Sequence, residues 1–99
     1  MFNVRGINVF PSAVQEGVLS RPDIASGQFR IVLDGSGPWD RIVVRAEAAI
    51  GLAPDAYAGA ARDLERAIRD HAGASAEVTL LAPDSLPRTD GKTALIERI

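Results

Sequence analysis

The amino-acid sequence predicts an α+β fold: a small, largely antiparallel sheet with two helices on one face, in the order β-α-β-β-α-β. Three observations carry that expectation. Residues 28–34 and 39–48 alternate apolar and polar side chains across a run of turn formers, Asp34-Gly35-Ser36-Gly37-Pro38, the pattern of an antiparallel hairpin. From Pro54 to Ala72, apolar residues recur every three or four positions, the period of a helix with one buried stripe. A shorter helix starting near Pro11 separates an N-terminal alternating segment from that hairpin. The order is compatible with a ferredoxin-like topology, which by itself leaves function undecided.

Residues 2–10 alternate around Gly6: Phe2 and Val4 share one face, and Ile7 and Val9 resume the apolar pattern after the glycine shifts its phase. The expectation is a short strand, a glycine kink, and a second short strand or loop, because an isolated strand glycine marks a bulge or a close backbone approach. Pro11 suits a first helical position, while Ser12 with Gln15 fits a capping box, so two starts one residue apart are open. This helix runs to about Ser20 with Val14, Val18 and Leu19 inward, and Arg21-Pro22 ends it. In the next strand Phe29, Ile31 and Leu33 face one way and Gln28, Arg30 and Val32 the other. Its hairpin mate turns Ile42, Val44 and Ala46 in and Arg41, Arg45 and Glu47 out.

Residues 49–53 are a soft link to the long helix. There Tyr57, Ala60 or Ala61, Leu64, Ala67, Ile68 and His71 form the apolar stripe, Glu65 is spaced to pair with Arg69, and Gly73 supplies the C-cap. His71 falls in the last turn, where the helix dipole favours its positive form. Capping or packing is its expected role, since no nucleophile pattern accompanies it. Ala76 to Ala82 is the last clear strand, and Thr93 to Ile99 is a short extended or helical tail.

Ninety-nine residues suffice for one domain with a modest core, and 46% apolar with 24% charged residues is ordinary for a globular chain. A net charge of −2 argues against general binding to nucleic acid or to a membrane surface. No cysteine means no disulfide and no thiolate metal site, and a single histidine makes a structural zinc site a poor reading. No apolar run is long enough to span a bilayer, and the N-terminus lacks a signal-peptide layout, so the expected location is cytoplasmic.

Two stretches hold the chemistry. Ser85-Leu86-Pro87-Arg88-Thr89-Asp90-Gly91-Lys92-Thr93 reads as an irregular loop after a strand and contains the one lysine among eleven basic residues. A lysine is a compact charge on a flexible stem, suited to meeting a single anionic centre, and Gly91 frees the backbone just before it. The plain alternative is a solvated loop residue. At the other end stands Arg5-Gly6-Ile7-Asn8-Val9-Phe10-Pro11-Ser12, followed by Glu16. A strand, a kink and a proline-started helix account for most of this string, but not for Asn8 in an apolar strand or for the target of the kink.

Taken together, the two stretches resemble the C-terminal lid domain of adenylate-forming enzymes, and within them the phenylacetate–coenzyme A ligase family. That family carries an R-G-x-N-V-F-P-[ST] segment near the start of the lid and L-P-R-[ST]-[DE]-G-K near its end. The resemblance implies a two-step reaction with ATP, Mg2+ and coenzyme A as substrates of the full enzyme and no cofactor or metal held by this domain alone. A carboxylic acid, by default an aryl-acetic acid, is joined to ATP to give an acyl-adenylate and pyrophosphate; the acyl group then passes to the thiol of coenzyme A with release of AMP. The resemblance assigns Lys92 to the first step, with Arg88 and Gly91 supporting its loop. It assigns the segment Arg5, Gly6, Ile7 and Asn8 to the second, the lid rotating between the two.

The family's large N-terminal domain, which binds ATP and the acid, is absent from these residues; Asp34-Gly35-Ser36-Gly37 lacks a P-loop lysine and sits in an expected hairpin. The hinge of the family lies just before the position of Met1. An excised domain and a separately encoded lid both fit, with the adenylation domain as partner in cis or in trans, and the domain alone is expected to be inactive. Thr93-Ala94-Leu95 stands where relatives often carry further basic residues, so the resemblance does not extend to an extra phosphate contact from the tail, though it still covers Lys92. The rival reading is a small stand-alone α+β module for ligand binding, regulation or protein interaction, with no use for Lys92.

Overall fold

The computed structural model describes residues 2–35, 37, 39–83, 85 and 96–98. Strands β1 (Phe2–Val4) and β2 (Ile7–Val9) precede helix α1 (Pro11–Leu19). Strands β3 (Ala25–Leu33) and β4 (Ile42–Ala48) follow. A short 3-10 turn (Pro54–Ala56) leads into helix α2 (Tyr57–Ala72), and β5 (Ala76–Leu81) and β6 (Ile96–Arg98) complete the order. The α+β class stands. The first strands form a small antiparallel sheet of their own, and the larger, four-stranded sheet runs β5-β4-β3-β6.

That larger sheet is mixed. β3 and β4 pair antiparallel, as the turn cluster between them dictates. α2 carries the chain back so that β5 lies parallel to β4, the result expected when a helical crossover joins two strands. The tail, expected as extended or helical, is strand β6, parallel to β3 with Ile31 opposite Ile96. β3 also starts earlier than its alternation suggests, because its register against β4 shifts between Ala25 and Phe29. A bulge of this kind resets which side chains face the core and so hides the strand's beginning from a period-two reading.

One face of the sheet presents Phe29, Ile31, Leu33, Ile42, Val44, Ala46, Val78 and Leu80, all buried. Val14 and Val18 of α1 and Leu64 and Ile68 of α2 pack in the same core. Burying each such side chain contributes roughly 1.5–3 kcal/mol, so a few helical residues hold each helix in place. The helices also lie directly on one another: a Cβ added to Gly17 would fall 2.7 Å from the Cα of Ile68.

α1 begins with Pro11 in its first turn, and its N-cap, Phe10, makes no side-chain cap bond, so the Ser12–Gln15 box does not form. α2 ends at Gly73, whose φ of 80° is left-handed and whose N–H donates to Arg69 O over 2.8 Å.

Several side chains depart from their expected faces or partners, and His71, expected in the apolar stripe of α2, is exposed. Leu19, expected inward, is exposed because α1 ends there and the chain turns away. Glu47, expected outward, is fully buried, and Ser26 Oγ in the β3 bulge donates to its Oε1 over 3.4 Å. Glu65 does not turn to Arg69: its Oε2 accepts the backbone N–H of Val78 over 2.9 Å, fixing α2 to the edge strand β5.

Candidate functional site

The site is built on the β1–β2 hairpin. The chain does not kink at Gly6; it reverses there. Val4 pairs with Ile7, so Arg5 and Gly6 are the two residues of a tight turn. Both have positive φ, 51° and 87°, as the two-residue turns that match strand twist require. Glycine adopts that conformation freely, whereas for a residue with a Cβ it costs about 1–2 kcal/mol. Arg5 is the one non-glycine residue with positive φ among the described residues, so backbone strain sits at the hairpin tip.

Asn3 and Asn8 explain each other. They face across the hairpin, Asn3 Nδ2 donating to Asn8 Oδ1 over 3.5 Å, while Asn3 Oδ1 accepts the N–H of Gly6 over 2.9 Å. Asn8 thus belongs to a polar pair that steadies the turn.

The base of the hairpin is buried through Phe2, Val4 and Val9, and its tip is in solvent, with Arg5, Gly6, Ile7 and Asn8 all exposed. The body holds it through Trp39. The N–H of Arg5 donates to Trp39 O over 2.9 Å, and the N–H of Trp39 donates to Asn3 O over 3.1 Å. The Trp39 ring meets Phe2 edge-on at 6.1 Å, and its indole N–H donates to Asp34 O over 2.8 Å. Trp39 and Asn3 were not legible as site residues. The available signal was a lone tryptophan directly after a turn cluster, and a second asparagine spaced symmetrically about the Arg-Gly pair.

Among the described residues, nothing lies within 4 Å of where a Cβ on Gly6 would stand. Packing therefore does not demand glycine here; the turn does, and the result is bare backbone facing outward from an anchored arm. Arg5 also lines a groove of about 490 Å³ with Asp40, Arg41, Ser75 and Ala76. Lys92, Arg88 and Gly91 lie outside the described residues. The described strands on either side of their segment, β5 and β6, form the two edges of the larger sheet. His71 Nδ1 lies 2.9 Å from Ala67 O on the exposed side of α2, a local contact within its own helix. Among the described residues no group of three or more His, Cys, Asp or Glu side chains converges as a metal site would. No helix among them is long and apolar enough to cross a membrane.

Comparison with known proteins places these features. The family described as AMP-binding enzyme C-terminal domain matches residues 6–97. A phenylacetate–coenzyme A ligase of Aromatoleum evansii is 32% identical over 97 residues, covering 93% of this chain and 22% of that protein. In shape, the chain matches 2-hydroxyisobutyryl-CoA ligase in its postadenylation state with 2-HIB-AMP, at a TM-score of 0.89 and 25% identity. That match covers 100% of this chain and 21% of the ligase. The same ligase in the thioesterification state, with 2-HIB-AMP and CoA, matches at 0.84 and 26% identity over 99% of this chain and 21% of that one. The chain spans about a fifth of the length of each of these relatives.

Proposed function

This chain belongs to the AMP-binding enzyme C-terminal domain family, and on that premise we propose that it is the mobile C-terminal domain of an ATP-dependent, AMP-forming acid–CoA ligase of the phenylacetate type. The observation that carries the reading is the Arg5–Gly6 turn: exposed backbone at the tip of a hairpin that Trp39 fixes to the body. Support comes from the solved relative, which has been captured both after adenylation and in a thioesterification state with CoA.

In the proposed cycle an adenylation domain, in cis or in trans, binds the acid and ATP with Mg2+. The acid's carboxylate oxygen attacks the α-phosphorus and pyrophosphate leaves. Lys92 meets the anionic α-phosphate and carboxylate at that stage, and a preorganised ammonium lowers the barrier because it meets charge without reorganising. The domain then turns, Lys92 withdraws, and the Gly6 tip comes to the site. The thiol sulfur of coenzyme A attacks the acyl carbon, the thiol proton is lost, and AMP leaves. At Gly6 the pantetheine arm passes against backbone, where a side chain would stand in its way. The domain alone, without the nucleotide and acid pockets, is inactive.

The experiment is Gly6→Trp in the full-length ligase, with Gly6→Ala beside it. Alanine carries the cost of positive φ without the bulk. Gly6→Trp is expected to leave pyrophosphate release from ATP and acid nearly intact and to slow transfer from a supplied acyl-adenylate to coenzyme A, with Gly6→Ala much milder. Equal loss in both half-reactions would remove the assignment of the hairpin to the thioester step.

A further inference from the structure

The β1–β2 hairpin is a two-stranded sheet of its own, and a lone hairpin is marginal in water. Its base is buried through Phe2, Val4 and Val9, which fixes where the arm starts but not how its tip is held. Residue 39 holds the tip. Val4 and Trp39 form a parallel bridge, so residue 39 acts as a one-residue third strand along β1. The bonds on either side of it, Arg5 N–H to Trp39 O and Trp39 N–H to Asn3 O, belong to the backbone, and any residue but proline could make them.

Those bonds need residue 39 to stay in place, and the chain leading to it is permissive. Between Asp34 and Trp39, Gly35 and Gly37 both have positive φ, 76° and 73°, and glycine has the most conformational freedom to lose. The Trp39 side chain removes that freedom at three points. Its indole N–H donates to Asp34 O over 2.8 Å, closing the turn on its first residue. Its ring lies so near Gly37 that a Cβ there would stand 2.8 Å from a ring carbon. The same ring meets Phe2 of β1 edge-on. One side chain therefore joins the start of the turn, its middle and the hairpin. The strain at the tip depends on this. Arg5 has a φ of 51°, a conformation that a residue with a Cβ keeps only when its surroundings impose it. The bond from Arg5 N–H to the Trp39 carbonyl is one such hold, and the bond from Gly6 N–H to Asn3 Oδ1 is the other.

Resting on the reading that the Gly6 tip serves the thioester step, we infer that the Trp39 side chain is a positioning residue for that half-reaction. It does not itself meet the acceptor. It closes the turn that begins at Asp34, which sets its own carbonyl against Arg5 and so fixes the pose of the Arg5–Gly6 turn. Adenylation, which does not use the tip, is independent of it.

The test uses the full-length ligase with Trp39→Ala and Trp39→Phe. Alanine loses all three ties; phenylalanine keeps a ring to set against Phe2 and Gly37 and loses the bond to Asp34. Each half-reaction is timed, and backbone amide exchange of residues 2–9 and of α2 is followed by mass spectrometry. Trp39→Ala is expected to speed exchange in residues 2–9 and to leave α2 as in the native enzyme, since local opening need not involve the core. Transfer from a supplied acyl-adenylate at saturating coenzyme A is expected to slow by about ten- to a hundredfold, the scale of a small misplacement. Pyrophosphate release should be unchanged, and Trp39→Phe should recover part of both losses. Unchanged exchange in residues 2–9 of Trp39→Ala would overturn the inference. So would native transfer by Trp39→Ala where Gly6→Trp is slow, because the tip would then work without its anchor. Equal loss in both half-reactions, with faster exchange in α2, would also overturn it by making Trp39 a residue that the whole fold needs. Native transfer by Gly6→Trp as well would count against the hairpin's role in the thioester step and not against Trp39 as its anchor, which the exchange decides.

Discussion

Gly6 and Gly17 occupy opposite kinds of place. At Gly17, inside α1, the backbone is ordinary helix and the space is closed: a Cβ would press to 2.7 Å on the Cα of Ile68. At Gly6 the backbone has a φ of 87° and the space is open, with no atom of the described residues within 4 Å of an added Cβ. One glycine exists because two helices touch, the other because a turn must be tight at the end of an exposed arm. A glycine that packing requires is explained by contacts inside the fold, and one that a turn requires by its backbone conformation, as at Gly35, Gly51 and Gly73, which also combine positive φ with open space. On the proposed function, the helix pair keeps the domain folded and the hairpin tip is the part that meets a ligand.

The strongest way to break that division is on the functional side. On the proposed role of Lys92, Lys92→Ala in the full ligase would remove one preorganised charge from the adenylation step, which typically costs about 3–4 kcal/mol, or roughly a hundred- to a thousandfold in rate. Pyrophosphate release is expected to slow by about that factor, with transfer from a supplied acyl-adenylate nearly unchanged. Lys92→Arg recovers only part, because a planar guanidinium does not occupy the point that an ammonium does. The thermal midpoint should hold. Near-native adenylation by Lys92→Ala would return the residue to solvent-facing duty.

The matching change on the structural side is Gly17→Ala. Alanine gains about 1 kcal/mol in helix propensity, but overpacking against a backbone atom costs typically 1–3 kcal/mol, and the Ile68 backbone has no rotamer to move. The expected net is a lower midpoint by denaturant unfolding and no selective effect on either half-reaction. A variant as stable as the native chain would mean that the helices slide apart at little cost, and the contrast with Gly6 would lose its basis.

What could be read ahead of the structure follows the same division. The helices, the β3–β4 hairpin, β5 and the Gly73 cap follow from local periodicity and backbone chemistry, and all are present. The β6 strand does not, since its pairing with β3 is a contact between distant parts of the chain. Glu47 alternates as an outward residue, yet Ser26 in the bulge reaches it and it is buried. The hairpin escaped because Arg-Gly is not among the usual two-residue turns: Arg5 takes a positive φ that its Cβ disfavours, held by Asn3 and by Trp39 from across the chain. At the candidate site, then, Arg5 and Gly6 were visible as a motif, while the residues that shape them were visible only in three dimensions.

The smallest effect concerns the corner where α1 hands over to β3. There Arg21 Nε and Nη2 donate to the two carboxylate oxygens of Asp23 over 3.1 and 3.0 Å. That hydrogen bonding holds the Asp23 carboxyl below the usual carboxylate range and raises the Arg21 guanidinium above its own. The sign follows from Asp23. Its folded form takes up a proton less readily than its unfolded form, so the pair's contribution is complete above about pH 4, the ordinary aspartate value, and fades as pH falls through the lowered one. Arg21 stays charged throughout that window. Both side chains are in solvent, so the contribution is small and salt reduces it. Thermal midpoints of the native chain and of Asp23→Asn, followed from neutral pH into acid, should therefore differ slightly at neutrality and converge below the aspartate range. Raising the salt to about 1 M, where screening acts within about 3 Å, should close the gap at every pH. A gap that survives high salt, or widens in acid, would mean that Asp23 holds the corner by shape, placing it with Gly17 among the residues the fold requires.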